Sequence, residues 1–313
     1  MEKQKIFITG AMGFIGLAFS KKLIELGHIV YALDTKPNIT KFKHPNFIFY
    51  KDTVFNDNLL TKLIKKSDIV CHFAGIAQPR EYLVRPISVI ELTVKPSMKI
   101  VELATKYKKK LIFTSTSEVY GKLEKTPFKE SDDRLLGSTE KTRWCYSTSK
   151  SLVEHYIKAC SSQKNLSYVI FRLFNVYGPS LEGRVVDIFI NNALKNKNLN
   201  INGSGKQKRC YLYIDDCIDG FIKVVLNNKI KNNTFNIGNN KEYSVFELAK
   251  KIIKLTKSKS KITKNSNQLV KLGGYEDIQQ RVPSIIKLKK IIKWKAKIDL
   301  DNGLKKMIKT FIK

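Results

Sequence analysis

The chain alternates short, unbroken apolar runs with longer stretches of helical period. Lys5–Thr9 reads as a buried strand, Phe14–Leu26 as a helix and Ile29–Leu33 as a second strand. Phe47–Tyr50 follows, then a helix near Leu59–Lys65 and the strand Ile69–Phe73. A helix near Val89–Tyr107 leads to the strand Lys110–Thr114, and another near Ser147–Ser161 leads to Tyr168–Leu173. Apolar runs of this length fit strands buried on both faces, and helical segments between them allow each strand to run parallel to the last. The pattern predicts an α/β protein with a parallel sheet covered by helices on both sides.

After Pro179 the pattern loosens. Helical stretches fall near Val186–Lys195, Asp216–Asn227, Val245–Leu255 and Ile285–Ile292, with short strands around Leu199–Ile201 and Thr234–Ile237. Gly, Asn and Ser punctuate the connections, as in Asn202-Gly203-Ser204-Gly205. The Lys/Ser run Lys257–Lys264 reads as a surface turn. No internal repeat and no long low-complexity linker interrupts the chain, so the second half is expected to pack against the first.

Composition narrows the class. Apolar residues make up 42% of the 313, enough for a sizeable core and too many for a disordered or fibrous chain. No uncharged apolar run reaches the ~18 residues that cross a bilayer, and the strand pattern starts at once, leaving no room for a signal peptide. Five cysteines (Cys71, Cys145, Cys160, Cys210 and Cys217) are scattered without a C-x-x-C. Neither a disulfide framework nor a metal site is expected, and a reducing cytoplasm fits best.

The formal charge of +31 comes from 58 basic against 27 acidic residues, and only eight of the basic ones are arginines. Lysine, asparagine and isoleucine are abundant together, as A/T-rich coding produces. The lysines are spread along the chain instead of forming arginine forks interleaved with aromatics, so they read as solvated faces and not as a nucleic-acid surface. Their field favours anionic small molecules such as nucleotides.

Chemistry concentrates in two places. Gly10-Ala11-Met12-Gly13-Phe14-Ile15-Gly16 has G-x-x-G-x-x-G spacing between the first strand and the first helix. Glycines there permit a tight turn and close approach of a pyrophosphate, and the backbone N–H groups opening the helix at Phe14, Ile15 and Gly16 face the phosphates. Asp34, ending the second strand, can bind both ribose hydroxyls and repel an additional phosphate, which favours NAD over NADP, although Lys36 tempers that preference. Asp52 and Thr53 are candidates to flank the adenine, and Phe73, Ala74 and Gly75 to let the cofactor backbone pass; each also reads as an ordinary loop. Further on, Tyr146 and Lys150 stand one helical turn apart on one face, where an ammonium can lower a phenol's pKa for proton removal from an alcohol. In a lysine-rich chain such a pair is a weak signal alone. The strand-end run Thr114–Gly121 adds Thr116, whose hydroxyl either meets the same alcohol or satisfies its own backbone.

Taken together, these residues resemble the extended short-chain dehydrogenase/reductases that modify nucleotide sugars, and the resemblance covers essentially the whole chain. It implies a Rossmann-type doubly wound sheet binding NAD over residues 1–178, with a segment near 210–238 returning to it. A smaller C-terminal α/β lobe over 179–313 is then mainly the nucleotide-sugar grip. Carried over, Thr116, Tyr146 and Lys150 are catalytic hydroxyl, base and supporting lysine, and a homodimer through the helices near Val89–Tyr107 and Ser147–Ser161 is implied.

Within that group, 4,6-dehydratases carry an aspartate where this chain has Ser117, and simple 4-epimerases lack an acid at the position of Glu118. Ser115–Gly121, Arg143-Trp144-Cys145-Tyr146, Gly183–Val186, Gly205–Arg209 and Gln280–Ile285 are instead similar to UDP-glucuronic acid decarboxylases, both UDP-xylose synthases and the decarboxylase domain of the bifunctional polymyxin-resistance enzyme. By that resemblance Glu118 and Arg281 manage decarboxylation and proton delivery, and the substrate is a UDP-linked sugar. Ala77, Tyr82, Thr116, Ser117, Arg143, Asn175, Arg184, Arg209 and Tyr275 fall where such relatives contact it, with Arg209 assigned to the diphosphate. Val282 stands where relatives often have lysine, and no formyltransferase domain precedes Met1. A nucleotide-sugar 4-epimerase is the alternative reaction, and a non-catalytic NAD sensor or nucleic-acid binder the alternative class.

Overall fold

The computed structural model describes residues 2–38, 42–265, 274, 276 and 278–312. Its centre is a seven-stranded sheet made of β1 (Lys5–Thr9), β2 (Ile29–Asp34), β3 (Phe47–Lys51), β4 (Ile69–His72), β5 (Lys110–Thr116), β6 (Tyr168–Leu173) and one late strand, Asn233–Ile237. Between β6 and that late strand lie the short strands β7 (Val176–Tyr177), β8 (Leu199–Asn202), β9 (Lys208–Cys210) and β10 (Leu212–Tyr213), so the late strand is β11. The order is β3-β2-β1-β4-β5-β6-β11 and every neighbouring pair is parallel. The order reverses between β1 and β4, and ligands bind beyond the carboxyl ends of strands at such a switch point.

Each strand is apolar on both sides because helices cover both. Ile6 and Ile8 enter one core with Phe19, Phe171, Phe221 and Phe235, while Phe7 between them enters the other with Leu60, Ile100, Phe113 and Ile157. In the first core the Phe171 and Phe221 rings stack at 4.1 Å. Its helices are α1 (Phe14–Glu25) and, much later, α7 (Ile214–Val225). The second core lies under α2 (Asp57–Lys66), α4 (Pro86–Lys106) and α5 (Trp144–Lys164), with the short α3 (Pro79–Val84) leading into α4.

The first core continues into the C-terminal segments through Leu248, Ile252, Trp294, Leu304 and Met307. There α6 (Val185–Leu194), α8 (Val245–Thr256) and the helices Ile286–Ile292 and Leu300–Ile312 surround small sheets. β7 pairs with β10, β8 with β13 (Ile262–Asn265), and β9 with both β12 (Glu242–Ser244) and β14 (Gln280–Arg281).

Three expectations change. The Lys/Ser run is not wholly a turn: Lys257 ends α8 in the left-handed region, and from Ile262 the chain pairs in parallel with β8. Its β-branched Ile262 and Thr263 suit a strand, and Ser260 just before it is buried. β5 runs to Thr116 instead of Thr114, and α5 runs Trp144–Lys164 instead of Ser147–Ser161, with Tyr146 inside it as its one-turn spacing from Lys150 requires.

Candidate active site

At the carboxyl end of β1 the chain turns through Gly10 at φ +69°, with the Gly10 N–H donating to the Leu33 carbonyl. A Cβ on Gly10 would lie 2.7 Å from the Ala74 nitrogen, and one on Gly16 would overlap the Gly10 carbonyl. The glycines therefore allow the turns after β1 and β4 to meet, and α1 to start against them. Gly13 is the N-cap and has no side chain to cap the first-turn N–H groups, which leaves them for an anion. Asp34 accepts from the Met12 and Lys36 N–H groups at 2.8 and 2.9 Å, which aims its carboxylate across the glycine turn. Asp52 is engaged differently: it holds Thr53 N–H and the Asn56 side chain, and Asn56 caps α2. Beneath the turn, Thr9 Oγ1 meets His72 Nδ1 at 2.7 Å and His72 Nε2 meets Ser97 at 2.8 Å. Burial and the Lys150 charge push His72 down to about 3, so it stays neutral. This cradle fits a dinucleotide.

One face of α5 supplies the next layer. Tyr146 hydrogen-bonds the Thr116 hydroxyl and stacks on Tyr82 of α3, ring centres 4.5 Å apart and planes at 9°. Lys150 donates to the Thr114 carbonyl at 2.8 Å and lies 4.5 Å from the centre of the Phe113 ring. Gly75 faces it: a Cβ there would stand 3.7 Å from Nζ. Thr116 also accepts from Glu118 N–H at 3.2 Å, the local backbone contact that one reading of its hydroxyl gave. The expected lowering of the Tyr146 pKa is reversed. Burial pushes the phenol up and Glu118 adds to it, outweighing Arg184, Thr116 and Tyr82, so Tyr146 holds its proton here. Lys150 is pushed down to about 8 by burial, against the pull of Glu154.

Glu118 is the electrostatic centre. It sits in the 3-10 turn Ser117–Tyr120 at the end of β5, 6% exposed. Arg281 lies 3.3 Å from one carboxylate oxygen and Arg143 3.6 Å from the other; Arg281 also donates to Ser117 at 3.4 Å. Burial alone would raise the Glu118 pKa, but Arg143, Arg281, Arg184 and Arg209 outweigh it and hold the carboxyl below its usual range. Half of the chain's eight arginines act on this one residue. They come from four separate segments, joined by the small sheets: β14 pairs with β9 so that Arg281 stands opposite Arg209. Val282 and Ser284 then hydrogen-bond Phe128, which ties that segment to the chain following Glu118.

Around this centre, Arg184 donates to the Ala77 carbonyl, and Arg209 donates to the carbonyls of Lys208 and Gln279. Asn175 takes a left-handed conformation and donates to Cys210 at 3.2 Å. Tyr275 lies outside the described residues. Sequence reasoning passed over Glu154, Arg172, Tyr120 and Asn236, which form a buried network behind Thr116 and Glu118. Glu154 had one signal, its place a turn beyond Lys150 on the same face.

A family model described as the NAD dependent epimerase/dehydratase family matches residues 6–238. The UDP-N-acetyl-alpha-D-glucosaminuronate decarboxylase of Bacillus cytotoxicus is 35% identical, covering 99% of this chain and 98% of its own length. The bifunctional polymyxin resistance protein ArnA of Wigglesworthia glossinidia brevipalpis is 34% identical over 99% of this chain, which spans about half (51%) of that relative. Among solved structures, the UDP-glucuronic acid 4-epimerase of Bacillus cereus, in complex with UDP-glucuronic acid and NAD, superposes with a TM-score of 0.88. It is 25% identical, over 98% of this chain and 99% of that one.

Proposed function

This chain belongs to the NAD dependent epimerase/dehydratase family, its cofactor is NAD, and from that premise we propose that it oxidises a UDP-linked hexuronate at C4 and then decarboxylates it. The observation that carries the proposal is the buried Glu118 held between Arg281 and Arg143, one hydrogen-bonded step from Tyr146 through Thr116. Four arginines in one site suit a substrate with a diphosphate and a carboxylate. The 35% identical relative is named for a decarboxylation of that kind.

NAD supplies the acceptor for the hydride that leaves the alcohol carbon. In this reading Tyr146, as phenolate, takes the proton of the sugar hydroxyl that Thr116 holds, while the Lys150 ammonium supports that phenolate and binds ribose. Oxidation leaves a ketone β to the carboxylate. The C5–C6 bond then breaks, its electron pair passes into the C4 enolate, and carbon dioxide departs. C5 takes a proton in return, and the hydride then either returns to C4, giving a UDP-pentose, or stays on the reduced cofactor, leaving a UDP-4-ketopentose. Because its arginines keep Glu118 ionised, Glu118 acts with Arg281 to hold the water that delivers this proton and is not itself the acid. Proton-handling groups of this sort contribute ~10²–10⁴ in rate.

Incubation with NAD and either UDP-glucuronate or UDP-N-acetylglucosaminuronate should release carbon dioxide and a UDP-pentose or UDP-4-ketopentose, told apart by mass spectrometry. Conversion of either uronate into its 4-epimer with the carboxylate retained would replace this proposal by the second reading, a 4-epimerase like the Bacillus cereus neighbour. The same proposal takes the enzyme to be a cytoplasmic homodimer. Its support is the five free cysteines and the exposed Ile87, Ile90 and Leu152 on α4 and α5.

A further inference from the structure

α5 carries three buried polar side chains one turn apart, Tyr146, Lys150 and Glu154, and each meets a consecutive part of the end of β5. Tyr146 bonds Thr116, Lys150 bonds the Thr114 carbonyl at 2.8 Å, and Glu154 accepts from Ser115 Oγ at 2.5 Å. Glu154 is 2% exposed, and Arg172 of β6 grips it by a fork, Nε at 3.1 Å from one oxygen and Nη2 at 2.7 Å from the other. The same guanidinium donates to Tyr120 Oη at 2.8 Å and to the Glu130 carbonyl, and Tyr120 passes the chain on to Asn236 of β11 at 2.7 Å. Behind the candidate active site, a continuous set of bonds thus joins α5, β5, β6, the turn bearing Glu118, and β11.

We infer that Glu154 is a positioning residue for the oxidation step. Through Ser115 and Arg172 it fixes the end of β5 against α5, which holds Thr116 opposite Tyr146, and it supplies the counter-charge one turn below Lys150. The inference rests on the reading of Tyr146 and Lys150 proposed above. A buried ion pair with forked geometry and a filled second partner holds direction better than it adds stability, which suits this role. The titratable and charged groups facing the pair come from several segments. Around Lys150 they are His72 on β4, held neutral, and Tyr146 and Glu154 on its own helix. Around Glu154 they are Arg172 and Tyr168 on β6 and Lys158 on α5, with Glu130, Asp132, Asp133, Arg134 and His155 lining the same cavity. Glu154 is the one carboxylate in the first set, so its loss should make the Lys150 ammonium harder to keep.

The test measures two quantities against pH, NAD affinity by calorimetry and turnover of a UDP-hexuronate. The wild type should lose both as pH rises through about 8, where Lys150 gives up its proton. Glu154→Gln should move both alkaline limbs down by ~1 pH unit, with kcat lower by roughly tenfold and KM little changed. Ser115→Ala removes a bond and no charge, so it should lower kcat by a few-fold and leave the limbs in place. Glu154→Asp, which keeps the charge, should restore the limbs. If Glu154→Gln does not fold, the double replacement Glu154→Leu with Arg172→Met removes the pair without leaving a buried charge, and it should show the same displaced NAD limb. Limbs that coincide with wild type in the folded variant overturn the inference. A wild type that binds NAD with its limb near 8 yet converts no uronate defeats the functional proposal instead, and the NAD limb still decides on Glu154.

Discussion

Glu118 keeps its charge in a nearly closed pocket because arginines from four segments stand around it. Glu118→Gln should therefore leave NAD binding and the first oxidation intact while formation of the C5-protonated product falls by about 10²-fold; absorbance of reduced cofactor and mass spectrometry of the released sugar nucleotide separate the two. Tyr146→Phe should remove the oxidation itself, with turnover falling by ~10²–10⁴ and NAD affinity nearly unchanged. The acid side of the pH profile follows from two directions. Glu118 lies below the ordinary carboxylate range, so an activity that needs its charge is present above that lowered value and is lost only as pH falls through it. His72 at about 3 titrates lower than the window between pH 5 and 7, so no site group should switch there and kcat/KM should stay level across it. The spacing of glycines and of Tyr146 with Lys150 could be read directly from the sequence. The arginine ring could not: Arg143, Arg184, Arg209 and Arg281 share no spacing, and only the resemblance to known enzymes picked them out.

Among the elements, the alternating first half was legible to within a few residues at each end, since a strand buried on both faces leaves a short apolar run and little else. Elements whose reasons lie in other parts of the chain were missed. The helix Leu300–Ile312 has Leu304, Met307 and Ile308 at helical spacing, but Asn302-Gly303 reads as a turn. Gly303 is there because the Tyr177 ring leaves no room for a Cβ. Lys110, at the start of β5, is likewise unremarkable in sequence, yet its buried ammonium donates to the carbonyls of Val224, Val225 and Asn227 at 3.2, 2.9 and 2.9 Å. These are carbonyls at the end of α7 that no further turn can satisfy. Lys110→Met should cost about 1–3 kcal/mol, read as a lower urea midpoint with an unchanged slope.

For the whole molecule, the +31 charge and the arginine ring act on the same ligand at different ranges. Spread lysines act through solvent and are screened, whereas the ring lies in a pocket and is screened less. Raising salt from ~0.05 to ~0.5 M should raise KM for the sugar nucleotide several-fold while kcat holds, as a steering field predicts. Among the described residues no helix is long and apolar enough to cross a membrane. The sheet order has one more consequence. β11 closes the side of β6, but it is made only after the whole stretch that separates Leu173 from Asn233. At ~5–20 residues per second, a nascent chain on the ribosome carries six assembled strands and a raw hydrogen-bonding border for several seconds. Translation stalled in that interval leaves a sticky half-product for chaperones to hold, and release after Ile237 lets the border seal itself.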